Sequence, residues 1–456
     1  MRRQRKLLAS ILGAALMLTA CGGGGSEPAA SGNGATDTPD ETTDTGDDGD
    51  TGDTGDATGD TEVSGTIDLL TPLFEGSSGA EALEGEILPA FYEQYPDVTV
   101  NVEYTTYGNL NERLTTAVAS GLVPDVLMMG VGWIEPFASQ GILKDLGELG
   151  VTVEELSEDI NEAVLRAAQY DGKLYGIPLM LDARIGIYRK SMFEEVGLDP
   201  EQPPTNWDEL REYANLLTVR DDNGELQRAG LDLFAHDLRQ IWMPFLFSNG
   251  GELFDESGQE VLFNSPEGVE ALEFMNTLVN EDGVTEVGFS TGTDLRLIQV
   301  DQAAMMIGHN DLWRVAEDSS PEILDDLGAF VINEERPAFF HGGTIVNVAE
   351  NTDNPEAAIA LARHLAAPEA ALIANEQRGN VPVHKDLLDS EYVQNNALVQ
   401  FVMENLEYAY PEGGTEAWME ARGNFANALE EALLEVKSPQ QALDDLAGLT
   451  EAAIQR

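Results

Sequence analysis

The sequence predicts an α/β fold in which helices pack on a parallel sheet. Three apolar runs, residues 66–70, 98–104 and 126–129, are typical of strands, and helical patterns separate them. This strand-helix-strand alternation favours parallel strands, because each helix carries the chain back to the same edge of the sheet. The chain from residue 64 onward is long enough for two domains, each with its own core.

The first helical stretch places Leu83, Ile87, Phe91 and Tyr95 on one face, because they are four residues apart. Pro89 interrupts this pattern, and we expect it in the first turn of a second helix. A later helix is predicted from about Leu110 to Gly121. A further helix follows the third strand and ends near Gly141.

Polar and aromatic residues follow each predicted strand. Segments 71–78, 105–109 and 130–133 lie at the carboxyl ends, where open α/β sheets bind ligands. Candidate contacts in these segments are Glu75, Tyr107 and Trp133. An ordinary loop position, or local packing for the two aromatic residues, is the alternative for each.

The N-terminus predicts export and a lipid anchor. Four basic residues precede an uncharged apolar run, residues 7–20, which indicates a signal peptide at 1–20. The segment Leu18–Cys21 (LTAC) resembles a bacterial lipobox, which implies that Cys21 is lipidated and the protein is held on the outer face of the cytoplasmic membrane. A plain signal peptide with an incidental thiol is the alternative. As the single cysteine of the sequence, Cys21 leaves no partner for an intramolecular disulfide.

Residues 21–63 predict an acidic, disordered tether. They are rich in Gly, Thr and Asp and have almost no apolar side chains, so they cannot form a core. The spacing of the acids differs from that of a calcium-binding loop.

The chain is strongly acidic, with 83 acidic and 24 basic residues and a net charge of −59. Setting aside twelve acids in residues 27–62 and four bases in the leader leaves 71 acids and 20 bases in the folded part. Such a charge repels nucleic acid and disfavours anionic ligands. We therefore expect neutral or cationic ligands and no nucleic-acid partner.

Beyond the tether, several stretches occur in a characteristic order: PDVTVNVEY, VASGLVPDVLMMGVGWIEPFASQGILKDL, GIPLMLDARIGIYRKSMFEEVGLDPEQPPTNWDEL, DQAAMMIG, FHGGTIVNVAENTDNPEAAIALARHLAAPEA and SPQQALDDL. This order resembles family 1 extracellular solute-binding proteins, the maltodextrin-binding-like receptors of ABC importers. The resemblance covers nearly all of residues 64–456. It implies a type II periplasmic-binding-protein-like fold, in which two α/β lobes joined by crossover strands close over a ligand.

The resemblance also implies lobe boundaries and a function. The protein would be a receptor, not an enzyme, that captures a mono- or oligosaccharide and delivers it to an ABC permease; we expect a monomer without a cofactor. Carried over by segment, the lobes and hinges are 64–178 plus 345–390 for the N-lobe, 186–340 plus 397–456 for the C-lobe, and 179–185, 341–344 and 388–397 for the hinges.

Asp182 and Arg184 are the first candidates for the ligand site. They lie among apolar residues in the first predicted crossover, where both lobes meet. In the resembled family, the position of Asp182 often holds an acid that accepts sugar hydroxyls. The alternative is that the two side chains only pair with each other or with a neighbouring helix, as buried opposite charges usually do.

Further candidates come from the segments in which the family places site residues. After AAMMIG, relatives commonly have Gly-Ser-Trp or Gly-Pro-Trp, whereas this chain has His309, Asn310 and Asp311, which exchange a stacking ring for hydrogen-bonding groups. Core packing is the alternative for every tryptophan. The remaining candidates are Gln240, Trp242, Trp313, His341, Gly342, Tyr410, Trp418 and Arg422.

Other functions have weaker support in the sequence. A polyamine or other cation is the alternative ligand, and a surface glycosidase with two facing carboxylates is an unfavoured alternative. The stretch from Gly288 to Gly292 matches the hydrolase pattern G-x-S-x-G, but its polar, turn-rich approach lacks the strand that a nucleophile elbow needs. The histidines have no metal-binding spacing, so we predict no metal site.

Overall fold

The computed structural model describes residues 63–456. The predicted signal peptide, the lipidation site Cys21 and all but the last residue of the predicted tether lie outside the described residues. The strands are β1 (Gly65–Thr71), β2 (Val98–Tyr104), β3 (Val126–Gly130), β4 (Gln169–Tyr170), β5 (Lys173–Leu174), β6 (Gly176–Arg189), β7 (Val219–Arg220), β8 (Leu226–Asp232), β9 (Ala303–His309), β10 (Leu327–Phe330), β11 (Ile332–Asn333), β12 (Pro337–Val348), β13 (Val381–Pro382) and β14 (Ala409–Pro411).

The α-helices alternate with these strands and cover both ends of the sheet. They are α1 (Gly76–Ala82), α2 (Leu88–Gln94), α3 (Tyr107–Ser120), α4 (Ile134–Ser139), α5 (Val153–Ser157), α6 (Glu162–Leu165), α7 (Lys190–Glu195), α8 (Trp207–Leu217), α9 (Leu238–Ser248), α10 (Pro266–Asn276), α11 (Leu312–Ser319), α12 (Pro355–Ala366), α13 (Pro368–Arg378), α14 (Glu391–Gln394), α15 (Ala397–Glu404), α16 (Trp418–Leu433) and α17 (Pro439–Ile454).

The predicted parallel sheet is confirmed at the start of the folded part. β1 pairs in parallel with β2 on one side and with β3 on the other. The helix between β2 and β3 begins at Tyr107, earlier than expected, because the Thr106 side chain caps it by accepting a hydrogen bond from the Asn109 amide. It ends as predicted at Gly121, which takes the left-handed conformation with φ of 70°.

The first helical stretch is continuous but irregular. A π-helical turn, Leu83–Ile87, joins α1 to α2, and Pro89 lies in the first turn of α2 as predicted. Leu83, Ile87 and Phe91 are buried as the four-residue spacing predicts. Tyr95 is only half-buried, at the end of α2.

Two long antiparallel strands, β6 and β12, run through the middle of the sheet. Within residues 63–456 the main strand order is β2-β1-β3-β12-β6-β9-β8-β7. β12 pairs with β3 through its C-terminal half and with β14 through its N-terminal half. β6 pairs with β12 first and with β9 further along. These are the crossover strands of a periplasmic-binding-protein-like fold, two α/β lobes that share one sheet.

Three groups of buried apolar side chains pack around these strands. The N-terminal core surrounds β1 and β3, the C-terminal core surrounds α9 and α16, and the central core surrounds the middle of β6. β6 contributes Ile177 to the N-terminal core, Leu181 to the central core and Tyr188 to the C-terminal core. Buried side chains therefore hold both ends of β6 in place. Burial of each one contributes about 2 kcal/mol to the free energy of unfolding.

Within residues 63–456, no single helix has the length and apolar composition to cross a membrane, although α12 and α13 pass that test together as a pair bent by 56°.

Candidate functional site

A cavity of about 430 Å³ lies beside the crossover strands β6 and β12. Residues from β6, β12, α3, α9, the end of α13 and the C-terminal segment contribute to its wall. We call it the Asp182 cavity, and its wall consists of Tyr107, Gly130, Val131, Trp133, Asp182, Arg184, Gln240, His309, Asp311, Gly342, Gly343, Arg378, Asn380, Glu412 and Arg422.

Asp182 and Arg184 form an ion pair in this wall. They are two residues apart on β6, so their side chains share one face of the strand. The Arg184 Nη1 atom lies 2.7 Å from Asp182 Oδ1, and Arg184 Nε donates to Gln240 Oε1 at 2.9 Å. The pairing that the sequence left open thus occurs, but the Asp182 side chain remains 22% exposed, on the cavity wall.

Gly342 leaves room for the Asp182 carboxylate. The two residues are paired across β6 and β12, and a Cβ atom on Gly342 would lie 2.7 Å from Asp182 Oδ1. Next to it, Gly343 has φ of 146°, and a Cβ atom there would meet the Met180 carbonyl at 2.3 Å. The lack of a side chain at these two glycines therefore lets β12 approach β6 closely beside Asp182.

His309 and Asp311 form a second polar group beside the ion pair. The Asp311 amide donates to His309 Nδ1 at 2.9 Å, and Arg296 contacts the Asp311 carboxylate at 2.6 Å. Burial lowers the pKa of His309 well below its usual value, and the Arg184 charge lowers it further. The ring is therefore neutral with its proton on Nε2, which lies 4.0 Å from Asp182 Oδ1.

A third group closes the opposite side of the cavity. Glu412 contacts the buried Arg239 on one side, and its Oε1 atom lies 3.8 Å from Arg422 on the other. Burial lowers the pKa of Arg239 to about 9. The Arg422 guanidinium also lies over the Trp133 ring, 5.6 Å from its centroid, so the indole is only 4% exposed.

Loop 409–417 approaches the β3–α4 loop closely at two glycines. A Cβ atom on Gly413 would lie 2.8 Å from the Gly132 Cα atom, and one on Gly132 would lie 2.8 Å from Trp418 Nε1. Glu135 faces the same contact and accepts a hydrogen bond from the Gly414 amide at 3.3 Å. Burial raises the pKa of Glu135 to about 7.

Nine of the residues predicted from sequence line the Asp182 cavity, and their contact with a ligand remains a prediction. Trp242 does not line it, because this residue is fully buried and packs near Phe425, with 6.2 Å between ring centroids. Gln240 and Trp242 are two residues apart on α9, so they point to different faces, and Gln240 takes the cavity face. The nine that line the cavity are Tyr107, Trp133, Asp182, Arg184, Gln240, His309, Asp311, Gly342 and Arg422.

The aromatic candidates of the C-terminal region also pack elsewhere. Trp418 is fully buried in the C-terminal core, beneath the Arg239 guanidinium at 5.6 Å. Trp313 packs against the central core. Tyr410 stacks on Phe247 with 4.9 Å between ring centroids. These three rings therefore do not line the cavity, and Trp418 is the one that is completely buried.

Three polar candidates have structural contacts instead of cavity positions. Asn310 is buried; its amide group donates to the Gly379 carbonyl at 2.8 Å and accepts from the Ala183 amide at 2.8 Å. His341 is also buried, on the strand face opposite to Gly342, and burial lowers its pKa to about 4. Glu75 is the N-cap residue of α1 and does not line the cavity.

Three residues of the cavity wall were not predicted from the sequence, namely Arg378, Asn380 and Glu412. Arg378 is the last residue of α13, directly before the left-handed Gly379. A basic residue followed by glycine marks a helix end, and this signal was present in the sequence. Its position at the cavity depends on how α13 packs against β13 and β6, which no local pattern contains.

Two other chemistries have no support in the part of the chain that the structure describes. No group of His, Asp or Glu among residues 63–456 is arranged to hold a metal ion. Gly288 and Gly292 both have positive φ within a run of turns and bends, with no strand before Ser290 and no helix directly after it.

Comparison with known proteins identifies similar sequences over most of the chain. A family model described as bacterial extracellular solute-binding protein matches residues 76–372. A putative binding protein of Brucella abortus is 26% identical over 375 residues, which cover 81% of this chain and 89% of that protein. A maltotriose-binding protein of Pyrococcus abyssi is 22% identical over 371 residues, or 79% and 76% of the two chains.

Solved structures show the same fold. The cyclic α-maltosyl-1,6-maltose binding protein of Arthrobacter globiformis superposes with a TM-score of 0.72 at 22% identity, covering 86% of this chain and 99% of that one. The sugar-binding protein MalE of Xanthomonas citri also gives a TM-score of 0.72, at 19% identity, covering 86% and 98%.

Proposed function

Since the chain belongs to the bacterial extracellular solute-binding protein family, we propose that it captures a carbohydrate in the Asp182 cavity and delivers it intact to an ABC permease. The observation that carries this proposal is the position of the cavity. Its wall combines the crossover strands with residues from the helices and loops of both ends of the sheet. A solute bound there contacts elements of both lobes, so binding can favour a closed arrangement that a permease distinguishes.

The chemistry of the wall suits a polyhydroxylated ligand. Asp182 offers acceptor oxygens, Gln240 offers an amide, and Tyr107 offers a hydroxyl that also contacts Thr344. Sugar hydroxyls both donate and accept, so a wall of mixed donors and acceptors matches them. Relatives named for sugars, such as the maltotriose-binding protein, support a carbohydrate as the ligand.

Binding without catalysis is the second part of the proposal. The family and the solved neighbours are binding proteins. The cavity carboxylates Asp182 and Asp311 each contact an arginine, at 2.7 and 2.6 Å. Both carboxylates are thus engaged by guanidinium groups, whereas a glycosidase needs two carboxylates that are free to face the scissile bond, which disfavours the glycosidase alternative.

The polyamine alternative also loses support. A cation site needs carboxylates that are free to face the ligand, whereas the wall holds as many arginines as carboxylates. An incoming polycation would have to displace the guanidinium groups from their partners. We therefore keep carbohydrate as the proposed ligand class.

The lipid anchor is a separate proposal that depends on the sequence alone. Cys21 follows an apolar run and precedes a long polar segment, so a lipid on its sulfur would hold the folded part near a permease. Mutation of Cys21 to Ala should move the protein from the membrane fraction to the soluble fraction of the cells that make it. An unchanged membrane fraction would contradict lipid anchoring.

The ligand proposal is tested by thermal shift with a panel of mono- and oligosaccharides. A ligand at one hundred times its Kd adds about 2.7 kcal/mol to the free energy of unfolding, which raises Tm measurably. Asp182→Ala should abolish that rise. Asp282→Ala is the matched control, because Asp282 forms a bidentate pair with Arg211 outside the cavity. If no sugar raises Tm, or if Asp182→Ala keeps the full rise, the proposal is wrong.

A further inference from the structure

The Asp182 cavity is unusual in this acidic chain because its wall is rich in arginine. Acidic residues outnumber basic ones by 83 to 24 in the sequence, yet the wall holds three of each. Two more arginines, Arg239 and Arg296, contact the wall carboxylates from behind. The wall residues with formal charge are Arg184, Arg378, Arg422, Asp182, Asp311 and Glu412.

Each wall carboxylate already has an arginine partner. Asp182 pairs with Arg184 at 2.7 Å, and Asp311 pairs with Arg296 at 2.6 Å. Glu412 contacts Arg239, so its charge is largely balanced before Arg422 is considered, 3.8 Å from its Oε1 atom. The two remaining wall arginines therefore face the cavity with positive charge that the wall itself does not balance.

Arg378 is the less balanced of the two. No Asp or Glu oxygen among residues 63–456 lies within 4.0 Å of its guanidinium. The Arg378 charge acts on two residues of the cavity wall, Tyr107 and His309. Burial raises the pKa of Tyr107 to about 12 and lowers the pKa of His309. The Arg378 charge acts to lower both pKa values. An arginine without an acidic partner at a ligand cavity is available to a ligand anion.

The end of α13 is held in place, so the backbone that carries the Arg378 side chain is fixed. The buried Asn310 side chain donates to the Gly379 carbonyl and accepts from the Ala183 amide, which connects the helix end to β6. A Cβ atom on Gly379 would lie 2.5 Å from the Arg314 Cβ atom, so the turn packs tightly against α11. Asn310 thus serves as a positioning residue for Arg378.

The wall offers little aromatic surface for a neutral sugar ring. Arg422 covers the Trp133 indole, which is 4% exposed, so Tyr107, 36% exposed, is the one phenol or indole ring that the wall offers. Stacking on aromatic faces stabilises neutral rings, and this wall replaces most of it with guanidinium groups. The ligand that matches such a wall has both hydroxyl groups and an acidic group.

We propose that the Asp182 cavity takes a sugar that carries an acidic group, a carboxylate or a phosphate ester, and that Arg378, with Arg422, binds this group. The inference rests on the proposed function and names its ligand class. Paired N–H groups of a guanidinium match the oxygens of either acid. It departs from the expectation of a neutral or cationic ligand, which followed from net charge alone.

The acidic exterior does not prevent such binding. At physiological ionic strength, exposed charges are screened beyond about 8 Å, whereas arginines in the wall act on the ligand at contact distance. Arg378 does have a second reason to be basic, because a positive side chain in the last turn stabilises a helix C-terminus. The experiment must therefore separate ligand binding from helix stabilisation.

The test compares matched sugars by calorimetry on the full chain. The probes are galactose with galacturonate, glucose with glucuronate and glucose 6-phosphate, and digalacturonate with galactobiose. At least one acidic sugar should bind tenfold or more tightly than its neutral partner, and the preferred probe tells carboxylate from phosphate. Arg378→Gln should weaken binding of the acidic sugar by at least tenfold relative to binding of its neutral partner.

Two further variants control for stability. Arg378→Lys keeps the positive charge at the helix end, so it should retain the apo Tm yet bind the acidic sugar several-fold more weakly. Arg363→Gln removes an arginine from the last turn of α12, outside the cavity, and should keep the full preference. If neutral sugars bind as tightly as acidic ones, or Arg378→Gln keeps the preference, the inference fails while the proposed function stands. If neither kind of sugar binds, both fail.

Discussion

The exterior of the folded part and the wall of the Asp182 cavity differ in charge composition. Acids outnumber bases more than threefold in the sequence, whereas the cavity wall holds equal numbers and has two arginines behind it. Exposed carboxylates are hydrated and screened, so they tolerate one another. A buried charge without a partner is costly, and the cavity therefore collects arginines around its acids. Net charge consequently describes the exterior and does not predict the charge of the site.

The largest expected effect comes from crowding the cavity while the exterior stays unchanged. In Gly342→Ala, the new methyl group would lie 2.7 Å from Asp182 Oδ1 and would push the carboxylate away from Arg184. Ligand affinity should fall about a hundredfold, close to 2.7 kcal/mol by the usual conversion. The measurement is calorimetry with whichever sugar the wild type binds.

Gly423→Ala is the matched control for this variant. Gly423 lies in α16, and a Cβ atom there would meet nothing within 4 Å, so binding should be unchanged and stability should rise slightly. Wild-type affinity in Gly342→Ala would show that the position of Asp182 does not determine binding.

Salt should raise the free energy of unfolding by screening the exposed acids and should have little effect on the ion pairs of the cavity. Repulsion among exposed acids destabilises the folded state, and salt screens it. The free energy of unfolding of the apo protein should rise by about 2 kcal/mol between 0.05 and 0.5 M salt, as measured by urea denaturation. NaCl and KCl should give the same rise if screening is the cause. A flat or falling curve would mean that the exterior charge does not limit stability.

Glu135 is an acid beside the cavity that should titrate unlike the exterior acids. Burial raises its pKa to about 7, above the value of about 4.3 in an unfolded chain. The stability it contributes is therefore complete below about pH 4.3 and is lost as pH rises through 7. Glu135→Gln stays neutral, so its stability relative to wild type should increase by about 2–3 kcal/mol between pH 5 and pH 8.

Urea denaturation at the two pH values measures this difference. Glu112→Gln, at an exposed position on α3, is the control and should show the same difference from wild type at both pH values. If Glu135→Gln behaves like that control, Glu135 is ionised in the folded protein at neutral pH.

Much of the fold was predictable because it depends on local patterns. The alternation of β2, the end of α3 at Gly121 and the parallel direction of the first strands all follow from patterns along the chain. The π-helical turn at Leu83–Ile87 was not predictable, since the four-residue spacing of its apolar residues reads as a regular helix.

The site was predictable in part, most directly where the crossover strands form it. Asp182, Arg184 and Gly342 were identified because their segments resemble the crossovers of a known family. Trp242 and Trp418 were misplaced because a sequence gives the size of an aromatic side chain and not the face of the helix on which it packs. Both are fully buried in the structure.

The sequence by itself determined the parallel α/β start of the fold, the family resemblance and the two charged candidates on β6, Asp182 and Arg184. Each of these depends on residues close together in the chain or on their order. Only the tertiary structure decided that Arg378, Glu412 and Tyr107 meet in one cavity, because they come from a helix end, a C-terminal loop and an early helix. Their meeting depends on how distant elements pack against β6 and β12, which local sequence does not specify.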